Sequence, residues 1–140
     1  MSLAFPDVNV WLALASEEHV HRPAALSWWQ ANKEAVGFCR FTQLGFLRLI
    51  STAVVMNQRP LSLRAAWKVY DSFFIDERVQ FVPEPAALEH AFRRFSASPQ
   101  SSPKLLADAY LLAFASNCGG TLVTFDRALA RRGSQCLVIG

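Results

Sequence analysis

The chain has 140 residues, a formal net charge of +3 and 52% hydrophobic residues, which suits one domain built on one core. No apolar run approaches the ~18 to 20 residues of a membrane span, and the start MSLAFPD lacks the basic and long apolar regions of a signal peptide. Cys39, Cys118 and Cys136 form no CxxC pair, so neither a zinc site nor a disulfide framework is indicated. We therefore expect a cytoplasmic protein with reduced thiols.

The aromatic content leaves two interpretations open. The 11 Phe and 4 Trp residues indicate either a buried dimer or partner surface or a well-filled core. The mild positive charge is compatible with a polyanionic partner but does not require one.

The hydrophobic pattern alternates between short β-rich runs and helical apolar spacing. The predicted elements are, in chain order, strand 2–6, helix 8–15, helix 22–32, strand 35–39, helix 41–50 with Thr42 as its cap, helix 61–74, strand 79–83, helix 85–97, a helix around Asp108, strand 121–125, helix 128–132 and strand 136–139. This alternation predicts a layered α/β fold with a mainly parallel central sheet.

Three aspartates fall at corners of this pattern. Asp7 follows the first strand, Asp126 follows the strand 121–125, and Asp108 lies near the start of a helix. Ligands of open α/β sheets bind at the carboxyl ends of strands, so the three carboxylates form a joint site if their strands are neighbours. Carboxylates this close need a cation, and hard oxygen ligands suit Mg²⁺ or Mn²⁺. Structural roles are also open, because Asp7 and Asp126 can cap helices and Asp108 can pair with Lys104.

Four segments together resemble the PIN-domain toxins of the VapC type. They are FPDVNVWLALASEEHVHRPAALSWW at the front, CRFTQLGFLRLIS in the middle, and LADAYLLAFA and LVTFD at the back. The resemblance implies one PIN-like domain over residues 1–140, with a three-layer α/β/α sandwich. It also implies an endoribonuclease toxin of a type II toxin–antitoxin module that uses Mg²⁺, or Mn²⁺ in its place.

The resemblance assigns the metal ligands and catalytic residues to Asp7, Asp108 and Asp126. It further implies structured RNA such as tRNA or ribosomal RNA as substrate, a cognate antitoxin and a homodimer. Thr124 is a candidate to hydrogen-bond a carboxylate or a phosphate oxygen, with an ordinary strand threonine as the alternative. Arg127 is a candidate RNA phosphate contact, with a solvated surface arginine as the alternative.

One position departs from the family pattern. The family commonly has a further glutamate three residues after the threonine at Thr42, and that position is Gly45 here. Gln43 is a candidate to hold a metal-bound water instead. This departure supports an alternative, a PIN-like nucleic-acid or protein binding module with impaired catalysis. A phosphatase or receiver-like protein is a further alternative. Such proteins need a lysine beside a nucleophilic aspartate, and Lys104 is the one lysine of this sequence near an acidic motif.

Overall fold

The computed structural model describes residues 2–133 and 135–140, and the sheet within them is parallel throughout. The elements are β1 Leu3–Pro6, α1 Val8–Ala15, α2 Arg22–Ala31, β2 Ala35–Phe38, α3 Arg40–Ile50, α4 Leu63–Phe73, β3 Val79–Phe81, α5 Leu88–Ser96, α6 Pro103–Asn117, β4 Gly120–Thr124, α7 Arg127–Ala130 and β5 Cys136–Val138. The predicted α/β/α class is confirmed. The predicted domain 1–140 includes Met1 and Ser134, which lie outside the described residues.

The strand order, β3-β2-β1-β4-β5, determines where a ligand can bind. The chain moves outward from β1 through β2 to β3 and then returns to place β4 on the other side of β1. The gap between the carboxyl ends of β1 and β4 is therefore the topological switch point, where open parallel sheets form their binding crevice.

Two hydrophobic clusters cover the two faces of the sheet. One contains the buried side chains of α1 and α3, and the other those of α6 and α7. Trp11 lies at the centre of the first cluster, where its ring stacks on Phe38 with centroids 3.7 Å apart and meets Phe73 edge-on at 4.9 Å. Much of the aromatic content thus fills the core. Among the aliphatic side chains, Ile75 and Leu63 remain 84% and 66% exposed.

Local hydrogen bonds explain where the element bounds differ from the prediction. Helix α4 begins at Leu63 because the Ser62 side chain accepts a hydrogen bond from the Ala65 backbone amide at 3.1 Å. The prediction that Thr42 caps α3 was wrong. Cys39 is the N-cap residue, and the Thr42 hydroxyl accepts from its backbone amide at 3.0 Å as the third-position partner of a capping box.

None of the helices within residues 2–133 and 135–140 combines the length and the apolar character required to span a bilayer.

Asp76 and Arg78 fasten the start of β3 to the end of α2. The Arg78 guanidinium donates to Asp76 at 2.7 Å and to the Trp29 carbonyl at 3.0 Å, and it lies 4.6 Å from the centre of the Trp29 ring. A cation at the carbonyl end of a helix also complements the helix dipole. Arg78 donates hydrogen bonds that hold the pKa of Asp76 below its usual value of 3.8.

We expect Asp76→Asn to lower the free energy of unfolding by about 1 kcal/mol at pH 7. A depressed folded-state pKa stabilises the protein above pH 3.8, and this contribution disappears as the pH falls through the lower folded-state value. The gap between the melting temperatures of wild type and variant should therefore shrink in acid. An equal gap at pH 7 and below pH 3 would contradict this assignment.

Candidate active site at the switch point

Asp7 is placed by the end of β1. The register pairs Pro6 with Val123, and the Asp7 backbone amide donates to the Val123 carbonyl at 2.9 Å, which sets Asp7 beside Thr124. One carboxylate oxygen caps α1 by accepting from the Val10 amide at 3.2 Å. The other oxygen accepts from the Thr124 hydroxyl at 2.5 Å. The predicted capping role is therefore present, and one oxygen remains directed toward β4.

Thr124 links two of the acids. Its side chain is fully buried at the end of β4. Its hydroxyl donates to Asp7 and accepts from the Asp126 backbone amide at 3.0 Å. A buried hydroxyl that uses both functions fixes its two partners relative to each other.

Replacing Thr124 by Val should lower the free energy of unfolding by about 1–3 kcal/mol, because a partly buried Asp7 oxygen loses its donor. The Thr124 hydrogen bond opposes the rise of the Asp7 pKa, so the pKa of Asp7 should increase further in this variant. Thr124→Ser keeps the hydroxyl and should stay close to wild type. Equal stability of the Val and Ser variants in urea titrations would contradict the linking role.

Asp126 follows β4 and caps α7. One of its oxygens accepts from the Ala128 and Leu129 amides at 2.9 Å and 3.2 Å. The other accepts from the Lys104 ammonium at 2.7 Å. Asp126 is thus held at the carboxyl edge of the sheet by a helix on one side and a cation on the other.

Asp108 reaches the same edge from α6. A helix that leads into a parallel strand runs opposite to that strand, so its first turns lie at the carboxyl edge. Lys104 and Asp108 are one turn apart there, with the ammonium 3.0 Å from the Asp108 carboxylate. Lys104 therefore contacts Asp108 and Asp126 together, and the predicted ion pair with Asp108 is present.

The electrostatics of the acids differ. Burial raises the pKa of Asp7 above its usual value, and the charge of Asp108 adds to this rise, against the hydrogen bond from Thr124. The hydrogen bond from Lys104 lowers the pKa of Asp126, and the pKa of Lys104 rises through its bonds to Asp126 and Asp108. Asp7 is therefore the carboxylate whose charge is least compensated by the protein.

All three aspartates line one cleft of about 520 Å³. Within the part of the chain that the structure describes, no group of three His, Cys, Asp or Glu side chains is already arranged to hold a metal ion. The Lys104 ammonium donates a hydrogen bond to one oxygen of Asp108 and one of Asp126, and the Thr124 hydroxyl donates to one oxygen of Asp7. That the three share a cation stays a prediction.

Other predicted site residues lie apart from this cleft. Gln43 is buried, and its amide oxygen accepts from the Arg40 guanidinium at 2.6 Å. Among the residues that the structure describes, Gln43 is not one of those that line the cleft. Arg127 is exposed at the start of α7 next to Asp126, and its contact with RNA phosphate stays a prediction.

Gly45, at the position of the usual glutamate, lies where α3 meets the first turn of α1. A Cβ atom there would be 2.7 Å from the Cγ2 atom of Val8. Because Val8 is β-branched, its side chain has little freedom to move away. The close approach of the two helices is therefore incompatible with a side chain at Gly45 unless Val8 shifts.

We expect Gly45→Glu to lower the free energy of unfolding by about 1–3 kcal/mol through overpacking. Val8→Ala removes the obstructing methyl groups, so the double variant should recover most of the loss. A double-mutant cycle from urea titrations measures this coupling. Additive effects of the two substitutions would contradict the proposed steric conflict.

The cleft also contains residues that the sequence did not identify as part of the site. These are Asn9, His19, His21, Phe41, Lys104 and Phe125. His19 and His21 lie in the segment between α1 and α2. Their position beside Phe125 depends on how the loop between α1 and α2 returns to the sheet edge, and the sequence carries no clear signal for that course.

A parallel sheet between two helical layers, with carboxylates converging at its switch point, defines an α/β protein of PIN-like architecture. The sequence profile of the PIN domain matches residues 4–134. Ribonuclease VapC41 of Mycobacterium tuberculosis is 39% identical over 133 residues, covering 91% of each chain, and Ribonuclease VapC39 of the same organism is 31% identical over 142 residues, covering 96% of each. The chain belongs to the PIN domain family, in its branch of VapC ribonuclease toxins, which confirms the family resemblance.

Solved structures support the same fold. The crystal structure of Mycobacterium tuberculosis VapC20, a sarcin-ricin loop cleaving toxin, superposes with a TM-score of 0.67 at 17% identity and covers 93% of this chain and 95% of its own. VapBC2 from Rickettsia felis, solved bound to a DNA fragment from their promoter, gives 0.67 at 11% identity and covers 99% of both chains. At these identities the likeness concerns the fold alone.

Proposed function

We propose that residues 1–140 form one PIN domain that acts in the cytoplasm as an Mg²⁺-dependent endoribonuclease, the toxin of a type II toxin–antitoxin module. The observation that carries this proposal is the convergence of Asp7, Asp108 and Asp126 on one cleft at the switch point of a VapC-type chain. Oxygen donors in such a cleft are suited to a hard divalent cation.

The electrostatics of the cleft fit a bound metal ion. Asp7 is partly buried and lies near the charge of Asp108, and both conditions raise its pKa. A divalent cation would offset both. In the proposed site Asp7 and Asp108 hold Mg²⁺, or Mn²⁺ in its place, and Asp126 completes the set.

Bound Mg²⁺ would supply Lewis acidity, which activates a water and offsets charge on the phosphate. Asp126 then orients the attacking water, since its position is fixed by the capping bonds to α7. Lys104, released from the carboxylates, neutralises a phosphate oxygen. The water oxygen bonds to phosphorus as the bond to the 3′-oxygen breaks, and a proton passes to that oxygen. The products are a 5′-phosphate and a 3′-hydroxyl.

The substrate and partners follow from the family. We propose structured RNA, such as tRNA or ribosomal RNA, as the substrate, with Arg127 as a phosphate contact beside Asp126. A cognate antitoxin would cover the cleft until it is degraded. A homodimer is supported by exposed apolar side chains on α4, where Leu63 and Trp67 lie one turn apart and are 66% and 45% exposed.

A binding module with impaired catalysis is the second candidate. It is favoured by Gly45 at the usual glutamate position and by the pairing of Lys104 with two of the three acids. This candidate predicts no Mg²⁺ or Mn²⁺ binding at millimolar concentrations, whereas the nuclease binds the ion.

The proposed function is tested by incubating the purified chain with total RNA in Mg²⁺ or in EDTA and sequencing the RNA ends. We expect discrete new 5′-phosphate ends in Mg²⁺ and none in EDTA. Identical end profiles in the two buffers would refute a metal-dependent nuclease.

A further inference from the structure

Three aromatic rings form one wall of the acidic cleft. The His21 ring stacks on Phe125 with centroids 4.5 Å apart and 26° between the planes, and the His19 ring lies 6.1 Å from Phe125 at 28°. All three side chains line the cleft that contains Asp7 and Asp126. We call His19, His21 and Phe125 the aromatic wall.

The backbone ties the aromatic wall to the acids. Phe125 stands in the chain between Thr124 and Asp126, and its ring packs against the core cluster around Trp11. His19 is held because its Nδ1 atom accepts from the His21 backbone amide at 3.0 Å. That hydrogen bond places the proton of a neutral His19 ring on Nε2. These contacts hold the rings of Phe125 and His19 in place beside the acids.

The His21 side chain is accessible to solvent. The residue is exposed and occupies the N-cap position of α2, but within the described residues its side chain makes no capping hydrogen bond to that helix. The ring packs on Phe125 instead of serving the helix end. Part of the His21 side chain is therefore open to solvent beside the acidic site.

We propose that the aromatic wall binds a nucleobase of the RNA next to the scissile phosphate. This inference rests on the proposed function for its substrate. Unstacked RNA bases bind to proteins by stacking on aromatic rings, including histidine. The cleft volume of about 520 Å³ lies in the range of sites that take small organic ligands, whereas a metal ion with its waters needs less.

A metal site made by the two histidines fits the geometry less well. The Nδ1 atom of His19 is already an acceptor for the His21 amide. Within residues 2–133 and 135–140 no group of three potential ligands includes these rings. Stacking uses the ring faces, which remain compatible with that hydrogen bond.

Mononucleotides provide a test that does not require cleavage. We would titrate the chain in Mg²⁺ with the four ribonucleoside 5′-monophosphates and with ribose 5-phosphate, and follow the histidine ring signals by NMR. We expect the signals of His19 and His21 to shift with at least one nucleotide, which should bind roughly tenfold or more tightly than ribose 5-phosphate. Ribose 5-phosphate separates the base from the phosphate contribution.

Variants identify the ring responsible. His21→Ala should remove most of the difference between nucleotide and ribose 5-phosphate, and His21→Phe, which keeps a ring face, should retain it. His90→Ala changes an exposed histidine on α5 and should behave as wild type. Equal binding of nucleotides and ribose 5-phosphate in the wild type, or full discrimination by His21→Ala, would overturn the proposal.

The outcomes also separate this inference from the nuclease proposal. A chain that cleaves RNA in Mg²⁺ but does not discriminate nucleotides has the proposed function without the base site. Discrimination of nucleotides through His21 without RNA cleavage would support the base site and refute the nuclease proposal.

Discussion

Asp7→Asn should reduce Mg²⁺-dependent RNA cleavage by roughly a thousandfold while leaving the fold intact. The carboxylate is proposed as a metal ligand, and a neutral amide binds a divalent cation far more weakly. The asparagine oxygen can still accept the capping hydrogen bond from Val10, so α1 keeps its N-terminal cap.

The same substitution should not destabilise the protein in EDTA at pH 7. The pKa of Asp7 is raised by burial, so its ionised form is unfavourable in the folded state. A raised folded-state pKa gives stability that is present below pH 3.8 and lost as the pH rises through the folded value. Removal of the charge should therefore maintain or raise the melting temperature at neutral pH.

In Mg²⁺ the wild type should instead have a higher melting temperature than Asp7→Asn, because metal binding to the folded state stabilises the wild type but not the variant. The matched control is Asp71→Asn, which neutralises an exposed aspartate on α4. It should cleave RNA and respond to Mg²⁺ as the wild type does. Cleavage by Asp7→Asn at the wild-type rate would remove Asp7 from the site.

Lys104→Gln should change metal affinity and RNA cleavage in opposite directions. The Lys104 ammonium lies 3.0 Å from the Asp108 carboxylate and 2.7 Å from that of Asp126, so it competes with a metal ion for the same oxygens. Lys104 is exposed, and each such pair is weak, so we expect Mn²⁺ affinity to rise roughly threefold to tenfold. Cleavage should fall about tenfold or more, because a cation near the phosphate is lost.

Isothermal titration with Mn²⁺ and cleavage assays on the same RNA measure the two effects. Lys68→Gln, on the exposed part of α4, removes the same charge away from the cleft and should alter neither quantity. Parallel losses in both assays would show that Lys104 supports the metal site rather than competing with it.

The sequence predicts much of the fold for identifiable reasons. The alternation of apolar runs indicates a parallel sheet, and Asp7 and Asp126 each follow a strand, so their presence at the carboxyl edge could be expected. Strand order could not be read in this way, because it depends on which strands pair after long crossovers. That order makes β1 and β4 neighbours and brings Asp7 to Thr124.

The remaining features depend on long-range packing. Lys104 contacts Asp126 across 22 positions in the chain, and helical spacing predicts just its pairing with Asp108. The aromatic wall forms because the loop after α1 brings His19 and His21 onto Phe125. Local pattern predicts neither the contact of Lys104 with Asp126 nor the packing of the two histidines on Phe125.

The central claim is that Asp7, Asp108 and Asp126 share a divalent ion. The most direct measurement is anomalous diffraction from crystals of the chain soaked in millimolar Mn²⁺. We predict an anomalous peak between the three carboxylates, with the Lys104 ammonium displaced from Asp108. Density without such a peak, with Lys104 still joining Asp108 and Asp126, would contradict the account.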